Sequence, residues 1–334
     1  MTPSSVTAAR RVLFVRTDRL GETLLNLPAV VALKHALPHA SLTLLVHPDL
    51  QALMARLPPI DHVIPYPHDA SAPWWMRAYR LGRSLRSHRF DIAVISNPVK
   101  ELHLAMWLAR IPIRVGYNRK WGSLLTHRLH ARNALGERHE VEYNLDLVLA
   151  LGLPVSGEVW QAPRVESEQT EVLQLLDAHG INGSQPFIAV HPWSSNPIKQ
   201  WPVDRYRRLI RQAVQDLAIP TVVIGGAQER ERVGAVLPPG VPVANLVGCL
   251  TLGQLAALLQ RARLLISNDS GPMHLAAAVG TPTIALFGTP DPSTGPRRWG
   301  PRGEGHTVIW KPSMEAIRVE EVFEALKERF AHIR

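Results

Sequence analysis

Three short segments of this 334-residue sequence combine acids, cations, hydroxyls and glycine at strand-to-helix turns, in patterns that suit contact with a phosphate or another anion. The first is Arg16-Thr17-Asp18-Arg19-Leu20-Gly21-Glu22, with two carboxylates beside two arginines. It joins an apolar run to a helical pattern, and a helix N-terminus stabilises a carboxylate such as Glu22 as the anion. Either acid is a candidate general base. Plain capping by Glu22, and an ion pair of Asp18 with Arg16 or Arg19, fit the same residues.

The second segment, His191-Pro192-Trp193-Ser194-Ser195-Asn196-Pro197-Ile198-Lys199-Gln200-Trp201-Pro202, sets two hydroxyls and a lysine ahead of a helix. Hydroxyls, free N–H groups and a point charge suit a phosphate. A capping series with a solvated Lys199 and two core tryptophans is the plain alternative, and Pro202 at a first turn agrees with it. The third segment, Asn268-Asp269-Ser270-Gly271-Pro272-Met273-His274, is the most specific. Its small residues open a helix whose free N–H groups would point at an anion, with Ser270 as a further donor. Asp269 would orient donors or bind a sugar hydroxyl, and His274 lies one turn inside the helix on the face that begins at the loop. Phe287-Gly288-Thr289-Pro290-Asp291-Pro292 makes a further polar loop on the same edge. Glu229, in Gly225-Gly226-Ala227-Gln228-Glu229, stands where ribose hydroxyls are often bound. Val247-Gly248-Cys249-Leu250 would floor an adenine pocket through backbone contacts, or pack as ordinary core.

Short apolar runs alternate with helical patterns and supply the strand ends on which these loops stand. The expected strands are 12–15, 42–46, 91–96 and 114–116, then 187–191, 221–225, 264–267 and 283–287. Helices are expected at 22–37, 74–86 and 102–110, then at 204–217, 252–260 and 272–279. Continuous β-branched runs separated by helices imply parallel strands covered on both faces. Two such blocks make two doubly wound α/β domains, in which ligands bind at the carboxyl ends of strands. The expected division is 1–160, 161–318 and a last amphipathic helix in 319–334 that packs back on the body.

Composition narrows the function classes. At 46% hydrophobic and 19% charged residues the chain is too apolar for disorder. It has no run of about 18 apolar residues that would cross a membrane, and 1–11 lacks the apolar core of a secretory signal. The single cysteine, Cys249, excludes an internal disulfide and a Cys-cluster metal site. The chain therefore reads as soluble and cytosolic. Residues 1–150 carry 19 Lys+Arg against 11 Asp+Glu, whereas 151–334 carry 18 against 17. Such a one-sided field suits an anionic partner, although basic composition alone also produces it.

Taken together and in order, these segments resemble glycosyltransferase family 9, the ADP-heptose:lipopolysaccharide heptosyltransferases. Arg16–Pro28, His191–Ser195 with Lys199–Pro202, and Asn268–His274 with Phe287–Pro292 carry the resemblance. Arg114–Arg119 with Leu125–His127, and His139–Asp146, extend it to roughly residues 11–330. The resemblance implies a GT-B fold, two Rossmann-like doubly wound domains facing a central cleft. It also implies inverting, metal-independent transfer of heptose from ADP-heptose to Kdo or heptose of the lipopolysaccharide inner core, with no cofactor.

By position, the family's donor site would comprise Ser194, Ser195, Lys199, Glu229, Leu250, Asp269, Ser270, Gly271 and His274. The second domain would therefore bind the nucleotide sugar, and the first the acceptor. The family's base falls on Glu22, where Asp is usual, and the extra methylene leaves Asp18 as the alternative. Arg19, Arg114, Arg119 and Lys120 would contact the anionic, lipid-linked glycan. Beyond the family pattern, Trp74–Arg86 places arginines at 77, 80, 83 and 86 with aromatics at one end. As a helix this suits peripheral contact with the cytoplasmic face of the inner membrane, or equally a solvated basic face. The rival functions are a GT-B enzyme with another sugar or a non-lipopolysaccharide acceptor, and a nucleotide-sugar epimerase. A nucleic-acid binder lacks any recognisable module here, and a nicotinamide dehydrogenase lacks its glycine fingerprint.

Overall fold

Two parallel sheets with the same strand order organise the chain. The computed structural model describes residues 3–332 apart from 68, 70, 131–135, 158, 159 and 161. Two units separate by their contacts, Met1–Pro163 and Arg164–Arg334. Position 161 of the expected junction, and positions 333 and 334 of the expected last segment, lie outside the described residues.

Unit 1 contains β1 (Arg11–Arg16), β2 (Ser41–Val46), β3 (His62–Pro65), β4 (Ile92–Ile95), β5 (Ile113–Tyr117) and β6 (His127–Leu129) in the order β3-β2-β1-β4-β5-β6. Unit 2 contains β7 (Ile188–His191), β8 (Thr221–Val223), β9 (Ala244–Asn245), β10 (Leu264–Asn268), β11 (Thr283–Gly288) and β12 (Thr307–Lys311) in the order β12-β11-β10-β7-β8-β9. Every pairing is parallel. Both orders reverse direction next to the first strand of the unit, at β1/β4 and at β7/β10, which is the Rossmann topology.

Central strands are buried on both faces because helices cover each side. Leu13, Phe14 and Val15 of β1, and Leu264, Leu265 and Ile266 of β10, have no exposed surface. Each such aliphatic side chain contributes roughly 1.5–3 kcal/mol by leaving water. The edge strands β3 and β12 are only partly buried and lack that continuous apolar signal, so neither is expected from the sequence.

The helical pattern at 22–37 resolves into two helices, α1 (Leu20–Leu24) and α2 (Leu27–Ala36). Pro28 has no N–H for the carbonyl of Leu24, and its ring crowds that carbonyl, so one helix cannot run through. Side chains occupy the carbonyls around the break. Asn26 Nδ2 donates to the Glu22 carbonyl at 2.7 Å, and Asn144 Nδ2 donates to that of Leu25 at 3.0 Å. Two further helices in unit 1, α3 (Trp74–Arg86) and α4 (Lys100–Leu108), pack side by side. Asn144 stands on α5 (Glu140–Leu149).

Unit 2 carries α6 (Glu166–Ala178), α7 (Val203–Gln215), α8 (Leu252–Arg261), α9 (Gly271–Ala278) and α10 (Val319–His332). Val322 and Leu326 of α10 lie in the same core cluster as Leu209 and Ile210 of α7. No helix among the described residues is long and apolar enough to cross a membrane.

Gly288, the last residue of β11, meets the backbone at 313–314 face to face. A Cβ there would lie 2.5 Å from the carbonyl carbon of Ser313 and closer still to the amide nitrogen of Met314. Backbone cannot swing aside as a side chain does. Gly288→Ala is therefore expected to lower unfolding stability by about 1–3 kcal/mol in urea titrations, without changing the strand order.

Candidate active site

In unit 2, the loops after β7 and β10 lie against each other through a continuous hydrogen-bond network. Asn268, fully buried at the end of β10, donates from Nδ2 to the Pro192 carbonyl at 2.9 Å. Its Oδ1 accepts from the Trp201 amide at 3.1 Å and from the Tyr206 hydroxyl at 2.9 Å. Ser194 Oγ donates to the Asp269 carbonyl at 3.1 Å, and Gln200 Nε2 donates to the Ser194 carbonyl at 2.6 Å. Ser270 Oγ lies 2.9 Å from Ser267 Oγ and 3.1 Å from His191 Nδ1. The tryptophans fill the core beneath these loops, since Trp193 and Trp201 are 1% and 0% exposed.

Lys199 and Asp269 form a short ion pair across these loops. The carboxylate is buried, whereas Lys199 stays 31% exposed. Burial raises the Asp269 carboxyl above its ordinary range although Lys199 acts in the opposite direction. A half-open ammonium beside a largely dry carboxylate can share its charge with an incoming phosphate. Ser270 is the N-cap residue of α9 and makes no side-chain cap to it. First-turn N–H groups have no intrahelical acceptor. Those of Gly271 and Met273 are therefore donors at the same loop, while Pro272 has none.

His274, on α9, approaches Asp269 with its Nε2 4.0 Å from Oδ1. Burial, with Lys199 adding its charge, pushes the imidazole down to about 3. A ring neutral at pH 7 makes this a dipolar contact rather than an ion pair. Burial likewise holds His191 at about 4.

Of the remaining expected donor residues, Ser195 lies in the β7 loop and Glu229 is buried after β8, where Gln228 Nε2 donates to it at 3.0 Å. Leu250 is partly buried beyond Gly248, which turns with φ +70° and accepts at its carbonyl from Arg230. No hydrogen bond or ion pair among the described residues ties Glu229 or Leu250 to the Lys199–Asp269 pair.

In unit 1, the first segment leaves β1 at its carboxyl end. Arg16 is buried and its Nε holds Asp18 Oδ1 at 2.6 Å, while Nη1 reaches the Ser96 carbonyl at 3.4 Å. Asp18 therefore neutralises a buried cation. Glu22, on α1, is partly buried, and its carboxylate has no side-chain hydrogen-bond or ion-pair partner among the described residues. Burial raises its carboxyl above the ordinary 4.5, and the charge of Asp18 adds to the rise. Two local bonds fix α1: Thr23 Oγ1 donates to the Arg19 carbonyl at 2.9 Å, and Asn26 grips that of Glu22.

Arg19 is exposed beside this turn, and Arg119 and Lys120 are exposed after β5. Lys120 lines a cavity of about 480 Å³ with Trp74, Arg77, Val99, Lys100 and Glu101. Arg114, also expected at the glycan, is held by the backbone. Its Nε donates to the Leu124 carbonyl at 2.8 Å and its Nη1 to that of Ile111, so it braces the loop around β5. Arg77 also leaves the expected basic helix face: its Nη2 pairs with buried Glu101 at 2.6 Å, and Tyr66 donates to that same carboxylate. Asn97 escapes sequence reasoning altogether. It stands just beyond β4, donates to Thr17 Oγ1 at 3.1 Å, and leaves its own Oδ1 buried without a partner. Its only signal is position, a polar residue closing an apolar strand run.

The family model for glycosyltransferase family 9 (heptosyltransferase) matches residues 78–326. The chain belongs to that family. It is a glycosyltransferase, and its two Rossmann-like units are those of the GT-B fold. A putative glycosyltransferase of Haemophilus influenzae is 29% identical over 313 residues, covering 87% of this chain and 86% of the relative. Lipopolysaccharide heptosyltransferase 2 of Salmonella typhimurium is 26% identical over 299 residues, covering 86% and 85%. The solved structure of Escherichia coli ADP-heptose lipopolysaccharide heptosyltransferase II superposes with a TM-score of 0.82 at 24% identity, covering 96% of this chain and 98% of that one. Among the described residues of this glycosyltransferase, no group of His, Cys, Asp and Glu is placed to hold a metal ion.

The neutral histidines give unit 2 a pH signature. Unfolded, His191 and His274 bind protons below about 6.5; folded, they do so only near 4 and 3. The unfolded state therefore holds more protons at pH 5, and stability falls as pH drops from 7 to 5. The expected loss is up to about 2 kcal/mol for each histidine at pH 5. Denaturant titrations across that range should show the fall, to which the other histidines lowered by burial, His103, His127 and His306, also contribute, and His274→Gln should make the slope shallower.

Proposed function

We propose that this glycosyltransferase moves a heptose from ADP-heptose to the lipopolysaccharide inner core with inversion at the anomeric carbon. Family membership and the heptosyltransferase relatives support the donor and acceptor classes. The observation that carries the mechanism is the contrast between the two acids after β1. Asp18 is tied to buried Arg16, whereas Glu22 has no side-chain partner among the described residues and binds its proton more tightly than an exposed glutamate does. A carboxylate that holds its proton more tightly is also the stronger base once deprotonated.

In this reading Glu22 takes the proton of an acceptor hydroxyl. The freed oxygen attacks the anomeric carbon from the face opposite the diphosphate, and the bond to ADP breaks with its electron pair leaving on the phosphate. Lys199, Ser194, Ser195 and the first-turn N–H groups of α9 stabilise that developing charge. Asp269 holds Lys199 in place, and neutral His274 offers polar contact without adding charge. Glu229 takes the ribose, and the backbone around Leu250 the adenine. On the acceptor side, Arg19, Arg119 and Lys120 meet the carboxylates and phosphates of the glycan, which is Kdo or a first heptose. Since that acceptor is lipid-linked, the enzyme works at the cytoplasmic face of the inner membrane.

The test is ADP release from ADP-heptose with and without a Kdo-lipid acceptor. Release should depend on acceptor, and Glu22→Gln should cut kcat by about 10²–10⁴-fold with little effect on donor KM. Asp18→Asn should cost less. In the wild type the acid limb of kcat/KM should lie above the ordinary glutamate value, because the base works only when deprotonated. A larger loss in Asp18→Asn moves the base to Asp18, and acceptor-independent turnover contradicts the reading altogether.

A further inference from the structure

One face of unit 1 combines aromatic rings with unpaired cations and belongs to neither site above. On α3, Trp75, Tyr79, Arg83 and Arg86 recur at spacings of four, four and three residues, which gathers them on one stripe of a helix. Trp75 and Tyr79 are 53% and 52% exposed. The opposite side of α3, through Ala78, Leu81, Gly82 and Leu85, is buried. A Cβ on Gly82 would lie 2.7 Å from Leu108 Cβ and 2.8 Å from the Ala105 carbonyl, so α4 lies close alongside. Near its end α4 presents Trp107, 50% exposed, and Arg110 follows it. Arg86, Trp107 and Arg110 line one shallow depression. Two open rings and two cations therefore run along α3, a helix of 13 residues about 20 Å long, and Trp107 with Arg110 adds a third of each from the neighbouring α4 end.

The charge on this face is one-sided by sequence. No acid occurs between Asp69 and Asp91, or between Glu101 and Glu137. Of the flanking acids, Asp69 is paired with Arg80 and Glu101 lies buried under Arg77. Arg83, Arg86 and Arg110 have no ion-pair partner among the described residues. A merely solvated helix face gains nothing from half-exposed indoles. Rings of this kind are favoured where one side is apolar and the other wet, as at the level of lipid headgroups. Trp75 and Tyr79 stand on the exposed side of α3 and line neither that depression nor the cavity at Trp74, which fits insertion into a surface better than a protein hot spot, whose anchors fill pockets.

We propose that the α3–α4 strip docks unit 1 on an anionic lipid bilayer. Trp75, Tyr79 and Trp107 sit among the headgroups, and Arg83, Arg86 and Arg110 pair with lipid phosphates. This depends on the proposed lipid-linked acceptor only for its purpose. The start of α3, at Trp74, adjoins the cavity lined by Lys100 and Lys120, so docking would bring that cavity close to headgroup level.

The full-length protein is floated, without donor or acceptor, with vesicles of phosphatidylcholine alone or mixed with phosphatidylglycerol. Binding is expected only to the anionic vesicles, weakening as salt rises, with tryptophan fluorescence quenched by brominated acyl chains. The triple variant R83Q/R86Q/R110Q should partition about a hundredfold more weakly, at roughly fivefold per arginine, while R83K/R86K/R110K retains most binding. W75S/Y79S/W107S should lose the bromine quenching, with circular dichroism verifying that each variant is folded. A control with equal charge loss in unit 2, R208Q/R211Q/K327Q, should float as the wild type does.

Absence of wild-type flotation, equal loss in the control, or preference for a nucleic acid over vesicles would overturn the proposal. Turnover of R83Q/R86Q/R110Q on a delipidated acceptor should be unchanged. Docking without any heptose transfer would therefore count against the proposed reaction alone, and transfer without docking against this surface alone.

Discussion

Reversal of strand order beside β1 and beside β7 is the constraint on which the rest depends. At those positions successive connections leave the sheet toward opposite faces, so the loops beyond the strand ends diverge and cannot fill the space above the sheet. Polar side chains can then stand at the edge of an apolar core and find hydrogen-bond and ion-pair partners there. Arg16, Thr17 and Asn97 occupy this position in unit 1, and His191, Ser194, Asn268 and Asp269 occupy it in unit 2. The same twofold plan of six strands supplies two such edges, and each carries different chemistry.

In both units a charged side chain is fixed by its counterpart, and a second group is thereby left available. Arg16 is buried and needs a carboxylate; Asp18 supplies it, and Glu22 is left without a side-chain partner among the described residues, its proton held more tightly. Asp269 is buried and needs a cation; Lys199 supplies it from a position that solvent still reaches. Breaking such a pair by removing one partner typically costs about 3–5 kcal/mol, because the other charge is left dry and alone. Position rather than stability explains keeping charges here. Hydrogen bonds from Asn26, Thr23 and Asn144 on one side, and from Asn268 and Gln200 on the other, hold the carriers of these groups in place.

Much of the fold was legible because the central strands are buried on both faces and read as continuous apolar runs. The edges were not: β3, β9 and β12 are short or half-exposed, and only the surrounding sheet reveals them. Pro28 was visible in the sequence, yet apolar periodicity continues past it, and the split into α1 and α2 shows that a missing N–H overrides the pattern. Loop composition shows which strand ends carry polar and charged residues. It could not say which charges are already engaged. Arg77 and Arg114 read as surface cations, but a buried glutamate claims one and backbone carbonyls the other. Asn97 lies far from every motif in sequence and meets Thr17 only through the β1/β4 pairing.

On the proposed reaction, the loops after β7 and β10 form a diphosphate site whose main charge is Lys199. Calorimetric titration of ADP into the full-length protein tests this without depending on sugar or acceptor. Saturable binding is expected in the wild type, and at least about tenfold weaker binding in Lys199→Gln, the loss of one charge-assisted contact. Glu22→Gln should bind ADP as the wild type does. Equal affinity in Lys199→Gln and wild type, or no saturable binding of ADP at all, would contradict it.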